Sequence, residues 1–333
     1  MSGVVGLRRD AVHGDPDTRR ELRTGSFEPQ SGLPIGPRLT GKASSAFERV
    51  LERALLGCAL VSVATTVAII GLLGSEAVGF FRVVPILQFL FDDRWTPLLP
   101  EKHFGIWPLV AGTLSTSAIA LLVAVPLGLL GAIYLNEFAA PLVRRGLSLA
   151  LGVLGGVPTV VYGYLALAFV TPELQRVVPG LSAFNALSAG LVLGVMLIPM
   201  ISALSQDALS RVPHGLREGA HALGAGPLAT LFRVILPSAA SGIAGALVLA
   251  VSRAVGETMI VAMAAGQTPR ATLDLRWPVE TLTAYVVQMS AGDTPAGTPA
   301  HQSIFVVGAV LLLLSFLMNA LSRHARRRFG HAC

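Results

Sequence analysis

Residues 239–265 read AASGIAGALVLAVSRAVGETMIVAMAA, and Arg253 and Glu257 are the only charged side chains in the run. A helix rises about 1.5 Å per residue, so an apolar run of this length crosses a hydrocarbon core of about 30 Å. Entered near Ala239, such a helix carries Arg253 some 20 Å along, close to the midplane. A lone guanidinium there costs roughly 3 kcal/mol or more, so it must face protein, water or a countercharge. The four-residue spacing puts Arg253 and Glu257 on one helical face, which makes the carboxylate that countercharge in at least one state. Two readings follow: a static neutralised pair that ties helices together, or an anion contact on a transport path that also takes in Thr258.

The rest of the chain agrees with a membrane setting. Of its 333 residues 53% are hydrophobic and only 13% charged, and the mean hydropathy is +0.67, well above that of a soluble domain. Six stretches are long and apolar enough to span: Leu55–Leu73, Leu109–Leu130, Leu147–Val170, Leu187–Leu204, Ala239–Ala265 and Ser303–Leu321. Lipid offers a backbone no hydrogen-bond partner, so an all-α polytopic protein of six transmembrane helices is predicted. Gly152 with Gly156, and Gly190 with Gly194, have the four-residue spacing that allows close helix contact in lipid.

Charge sets the orientation. Arg49 and Arg53 precede the first span, Arg144 and Arg145 follow the second, Arg211, Arg217 and Arg233 follow the fourth, and Arg323, Arg326, Arg327 and Arg328 follow the sixth. The positive-inside rule makes these joints, and both termini, cytosolic. The segments Ser75–Trp107 and Gly266–Gln302 carry balanced or acidic sets together with Trp95, Trp107 and Trp277, and are expected as ordered external loops. The net charge of +6 therefore reports topology rather than nucleic-acid binding, since no basic stripe with interleaved aromatics exists. Cys58 and Cys333 have neither the number nor the spacing for a metal site or disulfide framework. Four regions are expected: a disordered cytosolic tail over 1–44, a first helix and external loop over 45–108, a transmembrane domain over 109–323 with a cytosolic loop at 206–237, and a basic cytosolic tail over 324–333.

One motif misleads. GPRLTGKA, residues 36–43, nearly spells the phosphate-cradling loop of nucleotide-binding proteins, but Ala43 lacks the hydroxyl that holds magnesium and no strand precedes it. The chain is not expected to hydrolyse ATP. No Ser/His/Asp set, paired aspartates or HExxH motif lies in the apolar runs, which argues against an intramembrane enzyme.

A second motif is specific. REGAHALGAGPLATLFRVILP, Arg217 to Pro237, contains Glu218, Gly219 and Ala220, then Gly224 four residues on, then Val234, Leu236 and Pro237. That spacing resembles the EAA loop of ABC importer permeases, with Gly219 in place of the first alanine and Val234 in place of isoleucine. A short helix is expected here, with Glu218 near its positive end and Gly224 ending it, stiff enough to dock in a cleft of a partner; the plainer reading is an amphipathic connector on the membrane surface.

RAVGETMIV after LPSAASGIAGAL, with GIWPLVAGTLSTSAIALLVAVPLGLLGAIYLNEF (105–138) and GVPTVVYGY (156–164), resembles the permeases of the bacterial phosphate-specific transport (Pst) system. WTPL and GIWP ahead of the second span resemble its PstC-like rather than its PstA-like branch. The resemblance covers roughly Ser45–Arg323 and implies a MetI-like type I ABC importer fold in the bacterial inner membrane. It further implies a PstA-like permease subunit as partner, a PstB-like ATPase dimer carrying ATP and Mg, an external PstS-like phosphate-binding protein, and no cofactor in this chain. On that view Arg253 holds phosphate oxygens and Glu257 lets them go, while Glu218, Gly219, Ala220, Gly224, Leu236 and Pro237 couple to the ATPase. Transport of another oxyanion, or a phosphate-signalling scaffold with little flux, stands as the alternative.

Overall fold

The computed structural model describes residues 44–329 except 273, 293 and 296, and side chains over 47–320. The expected tail over 1–44, apart from Ser44 itself, and the GPRLTGKA stretch lie outside the described residues. The chain divides into two units, one ending at Val63 and one beginning at Ala64. In the first, the described residues form the opening half of helix α1 (Ser44–Val83) and expose Leu55, Leu56 and Leu60.

The second unit is helical. After α1 come α2 (Ile86–Phe91), α3 (Trp107–Ile133), α4 (Pro141–Gly156), α5 (Thr159–Leu165), α6 (Thr171–Val177) and α7 (Ala186–Ser210). Then follow α8 (His214–Ala222), α9 (Pro227–Thr230), α10 (Leu236–Val255), α11 (Met259–Ala264), α12 (Leu282–Ala291) and α13 (Pro299–Phe329). Among the described residues five helical stretches are long and apolar enough to cross a membrane, and the bent pair Pro141–Gly156 and Thr159–Val177 makes a sixth if taken as one span.

The centre is the parallel packing of α3 on α7, and small residues make it possible. A Cβ on Gly190 would lie 2.6 Å from that of Ile119, one on Gly194 2.9 Å from the Ala120 carbonyl, and one on Gly128 2.8 Å from Ile201. Ala120, Ala124, Ala189, Leu193, Leu197 and Ile201 fill the contact. Without a hydrophobic drive between helices in lipid, such close backbone approach supplies the van der Waals attraction. The matching pair Gly152 and Gly156 meets nothing within 4 Å in this chain, and α4 buries no residue at all.

Two expected spans are broken. Leu147–Val170 is not one helix: α4 and α5 meet at 90°. Val157 is extended (φ −67°, ψ 130°) because the ring of Pro158 disfavours helical backbone in the residue before it, and Pro158 has no N–H to donate. Ala239–Ala265 likewise divides at Gly256–Thr258 into α10 and α11, a glycine ending the first helix.

The two segments expected as external loops are more ordered than loops. α1 continues to Val83 and α2 follows, so the first helix is far longer than Leu55–Leu73. Trp95 bridges Phe104 in a single antiparallel pair, and Phe80, Phe89, Trp95, Phe104 and Tyr285 form an edge-to-face aromatic cluster. The segment Gly266–Gln302 contains the whole of α12 and the first residues of α13.

Candidate functional site

Arg253 stands in the last turn of α10 and Glu257 in the break beyond it, so the two do not share a helical face as their spacing predicts. They still meet: Arg253 Nη2 lies 3.5 Å from Glu257 Oε2, with the arginine side chain 49% exposed and the glutamate 3%. Glu257 has other partners. Its Oε1 accepts from the Met259 N–H at 3.2 Å and, more weakly, from that of Ile260 at 3.5 Å, which caps α11. Its backbone carbonyl accepts from the Thr283 hydroxyl at 2.7 Å. Thr258 lies beside them, half-buried, its hydroxyl 3.3 Å from the Gly256 carbonyl.

Arg253 opens onto a cavity of about 590 Å³ walled by α4, the α4–α5 bend and α7, with Ser148, Thr159, Gln206 and Asp207 as its other polar groups. Asp207 escapes a hydropathy reading because the apolar run stops at Leu204, while the helix carries on to Ser210. The cavity thus holds one cation, one exposed carboxylate, and hydroxyl and amide groups able to bond an anion's oxygens.

The second group of predicted residues falls on one exposed helical turn-back. α8 ends in a Schellman arrangement: the Gly224 N–H bonds the His221 carbonyl at 2.9 Å and the Ala225 N–H bonds that of Ala220 at 3.0 Å. Gly224 has φ +81°, the left-handed conformation its role as terminator requires. Glu218 departs from expectation. The helix begins at His214, one turn earlier than its charge pattern implies, so Glu218 sits mid-helix and exposed rather than in the first turn. Gly219 and Ala220 follow on the same helix, and Leu216, Leu223, Leu228 and Phe232 leave apolar surface around it. Leu236 and Pro237 open α10, immediately after a π-helical turn over Leu231–Ile235. The wider turn makes room for a proline ring that would otherwise strike the carbonyl four residues back. α10 therefore runs from this turn-back straight to Arg253.

A contact absent from the sequence reading holds the turn-back in place. Arg217 Nη1 donates to both oxygens of Glu137 at 2.6 and 2.7 Å, and Nη2 donates to the Leu209 carbonyl at 2.9 Å. The side chains are 18% and 14% exposed. One guanidinium thereby joins α8 to the π-helical end of α3 (Tyr134–Phe138) and to the end of α7.

The fold is that of the transmembrane subunit of an ABC importer. It matches the solved structure of a bacterial ABC transporter involved in the import of alginate, with a TM-score of 0.56 at 16% identity over 84% of this chain and 99% of that one, a likeness of fold alone. Residues 124–331 match the family described as binding-protein-dependent transport system inner membrane component, and the chain belongs to that family. It is a multi-pass inner-membrane transport permease. It is 33% identical to the probable ABC transporter permease protein YqgH of Bacillus subtilis over 81% of this chain and 88% of that one. It is 30% identical to the phosphate transport system permease protein PstC of Mesorhizobium japonicum over 80% of this chain and 88% of that one.

Proposed function

We propose that the chain is the permease subunit of an ABC importer for inorganic phosphate, forming one half of the translocation path and coupled to a separate ATPase subunit. The observation that carries this is the Arg253–Glu257 contact, one long bond of 3.5 Å beside a cavity. Likeness to proteins named as phosphate transport permeases supports the choice of anion.

Arg253 presents a planar fork of N–H donors to the cavity, and a phosphate displaces Glu257 from it. Glu257 does not collapse when released, because the Met259 and Ile260 N–H groups still bond its other oxygen. It then competes for the arginine again, and the anion leaves. Asp207 on the same wall opposes retention of negative charge.

The exposed turn-back with Glu218, Gly219, Ala220 and Gly224 docks on the ATPase, which carries ATP and Mg, and α10 passes its movement from Leu236 and Pro237 to Arg253. A PstA-like subunit completes the path, a PstS-like protein delivers phosphate from outside, and both termini face the cytosol. The ligand must bind the outward- and inward-open states with different affinity for transport to occur, and ATP binding supplies that bias.

Labelled phosphate uptake into vesicles reconstituted with this chain and its partner subunits tests the reading. Uptake should require this chain and resist competition by sulfate and molybdate. Equal uptake without the chain would sink the assignment, and equal competition by sulfate would make the substrate oxyanions in general.

A further inference from the structure

Glu280 lies just ahead of α12 and takes no part in the site above. The residue is 2% exposed, and its Oε1 is buried with no hydrogen-bond partner. Trp95, also 2% exposed, has a buried Nε1 with no acceptor. Both line one cavity of about 290 Å³ between the outer segments, walled on its apolar side by Leu98, Leu99 and Met289 with Tyr285 beside Glu280. Two polar groups orphaned against the same small cavity are costly unless something fills it.

The chemistry of the walls selects the filler. An unpaired carboxylate calls for a cation, aromatic walls such as Trp95 and Tyr285 are compatible with one, and the leucines suit an aliphatic stem. The indole N–H calls for an acceptor, which a bare ammonium or guanidinium lacks but a peptide carbonyl offers. The volume stands at the lower edge of small-ligand sites and has room for a long side chain with the backbone that carries it. We propose that this outer pocket is a socket for a lysine or arginine side chain presented by an external protein, the cationic head meeting Glu280 and a flanking carbonyl meeting Trp95.

The socket also has a route to the translocation break. A Cβ on Gly112 would stand 2.1 Å from the Glu280 carbonyl, so α3 and this segment lie in direct backbone contact. From there Val279 bonds the Ala265 carbonyl at 3.0 Å, and the Thr283 hydroxyl bonds the Glu257 carbonyl at 2.7 Å. A cation drawn onto Glu280 pulls on a segment three residues from a direct bond to Glu257. This link to transport, and the external side of the socket, rest on the function and orientation proposed above; occupation of the pocket by a cationic side chain does not.

The test uses the full chain in nanodiscs, with Cys58 and Cys333 replaced by serine and the exposed Leu99 replaced by cysteine as reporter. N-acetyl-arginine methylamide should protect Leu99→Cys from a maleimide at concentrations at least tenfold lower than the uncharged citrulline analogue. Glu280→Gln should erase that difference. Leu98→Trp, at an exposed wall position, should block protection without touching the carboxylate and covers the case in which Glu280→Gln misfolds. No preference for the charged compound, or a preference that survives both substitutions, would overturn the socket. Butylguanidinium protecting as well as the arginine amide would overturn the assignment to a peptide-borne side chain in favour of a free cation. None of these readings involves phosphate, so failure here and failure of the transport assignment are separate results.

Discussion

Two of the arginine–glutamate pairs among the described residues are built in opposite ways. Arg217 grips both oxygens of Glu137 at 2.6 and 2.7 Å across eighty residues of sequence. Arg253 reaches one oxygen of Glu257 at 3.5 Å from four residues away, longer than the roughly 2.7–2.9 Å of a charge-assisted bond. Glu137 is occupied by the arginine and by the Asn136 amide, whereas Glu257 is held by backbone N–H groups whether or not its arginine is present. The first pair is a fastener, since each member depends on the other. The second is exchangeable, because the carboxylate is already provided for and the guanidinium is half in the cavity. The residue types are the same; what differs is which other groups satisfy the carboxylate.

The largest effect expected from this contrast is on stability. Removing one partner of a largely buried pair leaves the other uncompensated and costs about 3–5 kcal/mol. Glu137→Gln should therefore lower the thermal midpoint of the purified protein markedly, and the reversed pair Glu137→Arg with Arg217→Glu should regain part of the loss. An unchanged midpoint in Glu137→Gln would show that the pair fastens nothing.

Glu280 is the third case, a buried carboxylate with neither arginine nor backbone cap. Burial pushes its pKa up from 4.5 to about 7. Between those values the native chain holds a proton that the unfolded chain has lost, so stability falls as pH rises through the window. Below it both states are protonated and nothing is lost; above it the penalty is complete, at about 3 kcal/mol. Glu280→Gln should then melt higher than the parent near pH 8 and level with it near pH 4.5, as scanning calorimetry at the two values would record. A parent whose stability relative to the variant ignored pH would mean that Glu280 finds a partner after all.

The number of apolar runs was legible because crossing lipid demands about twenty apolar residues whatever else they do. The breaks were not, because a hydropathy window averages over them: Pro158 and Gly256 each sit inside a run that reads as continuous. Identical spacing also proved ambiguous. Gly190 and Gly194 pack on α3 while Gly152 and Gly156 face open space, and spacing alone carries no information about what stands opposite. Gly224 could be read in advance, since a glycine after a short polar helix meets a local need for positive φ. Arg217 could not. It looks like any other topology-setting arginine until the fold brings Glu137 to it.

At the exchangeable pair the expected effect is on transport and not on stability. Arg253→Gln removes charge-assisted bonds worth about 1.5–3 kcal/mol, which corresponds to a roughly 10- to 100-fold fall in phosphate uptake. The thermal midpoint should hold, because Glu257 keeps its backbone partners. Exchanging the two residues displaces the guanidinium from the cavity wall into the buried break and should not restore uptake. Recovery of uptake by that exchange would make the two pairs alike, both structural, and remove the basis of the contrast.

The smallest effect lies at the other end of α8 from the fastener. A side chain on Gly224 meets nothing within 4 Å, so substitution there costs only the backbone strain of φ +81°. For a β-branched residue that strain is at least about 1 kcal/mol. Gly224→Val should relax it by opening the Schellman turn, swinging the helix end while Arg217 still holds its start. Uptake should drop and ATPase co-purification weaken, with membrane insertion unaffected. Gly224→Asn should behave close to the parent, since asparagine tolerates left-handed backbone. If valine and asparagine lowered uptake equally, the side chain itself would be obstructing the docking surface, and the turn geometry would not be what the partner reads. If neither did, the fastener at Arg217 would be sufficient alone to hold the helix for coupling.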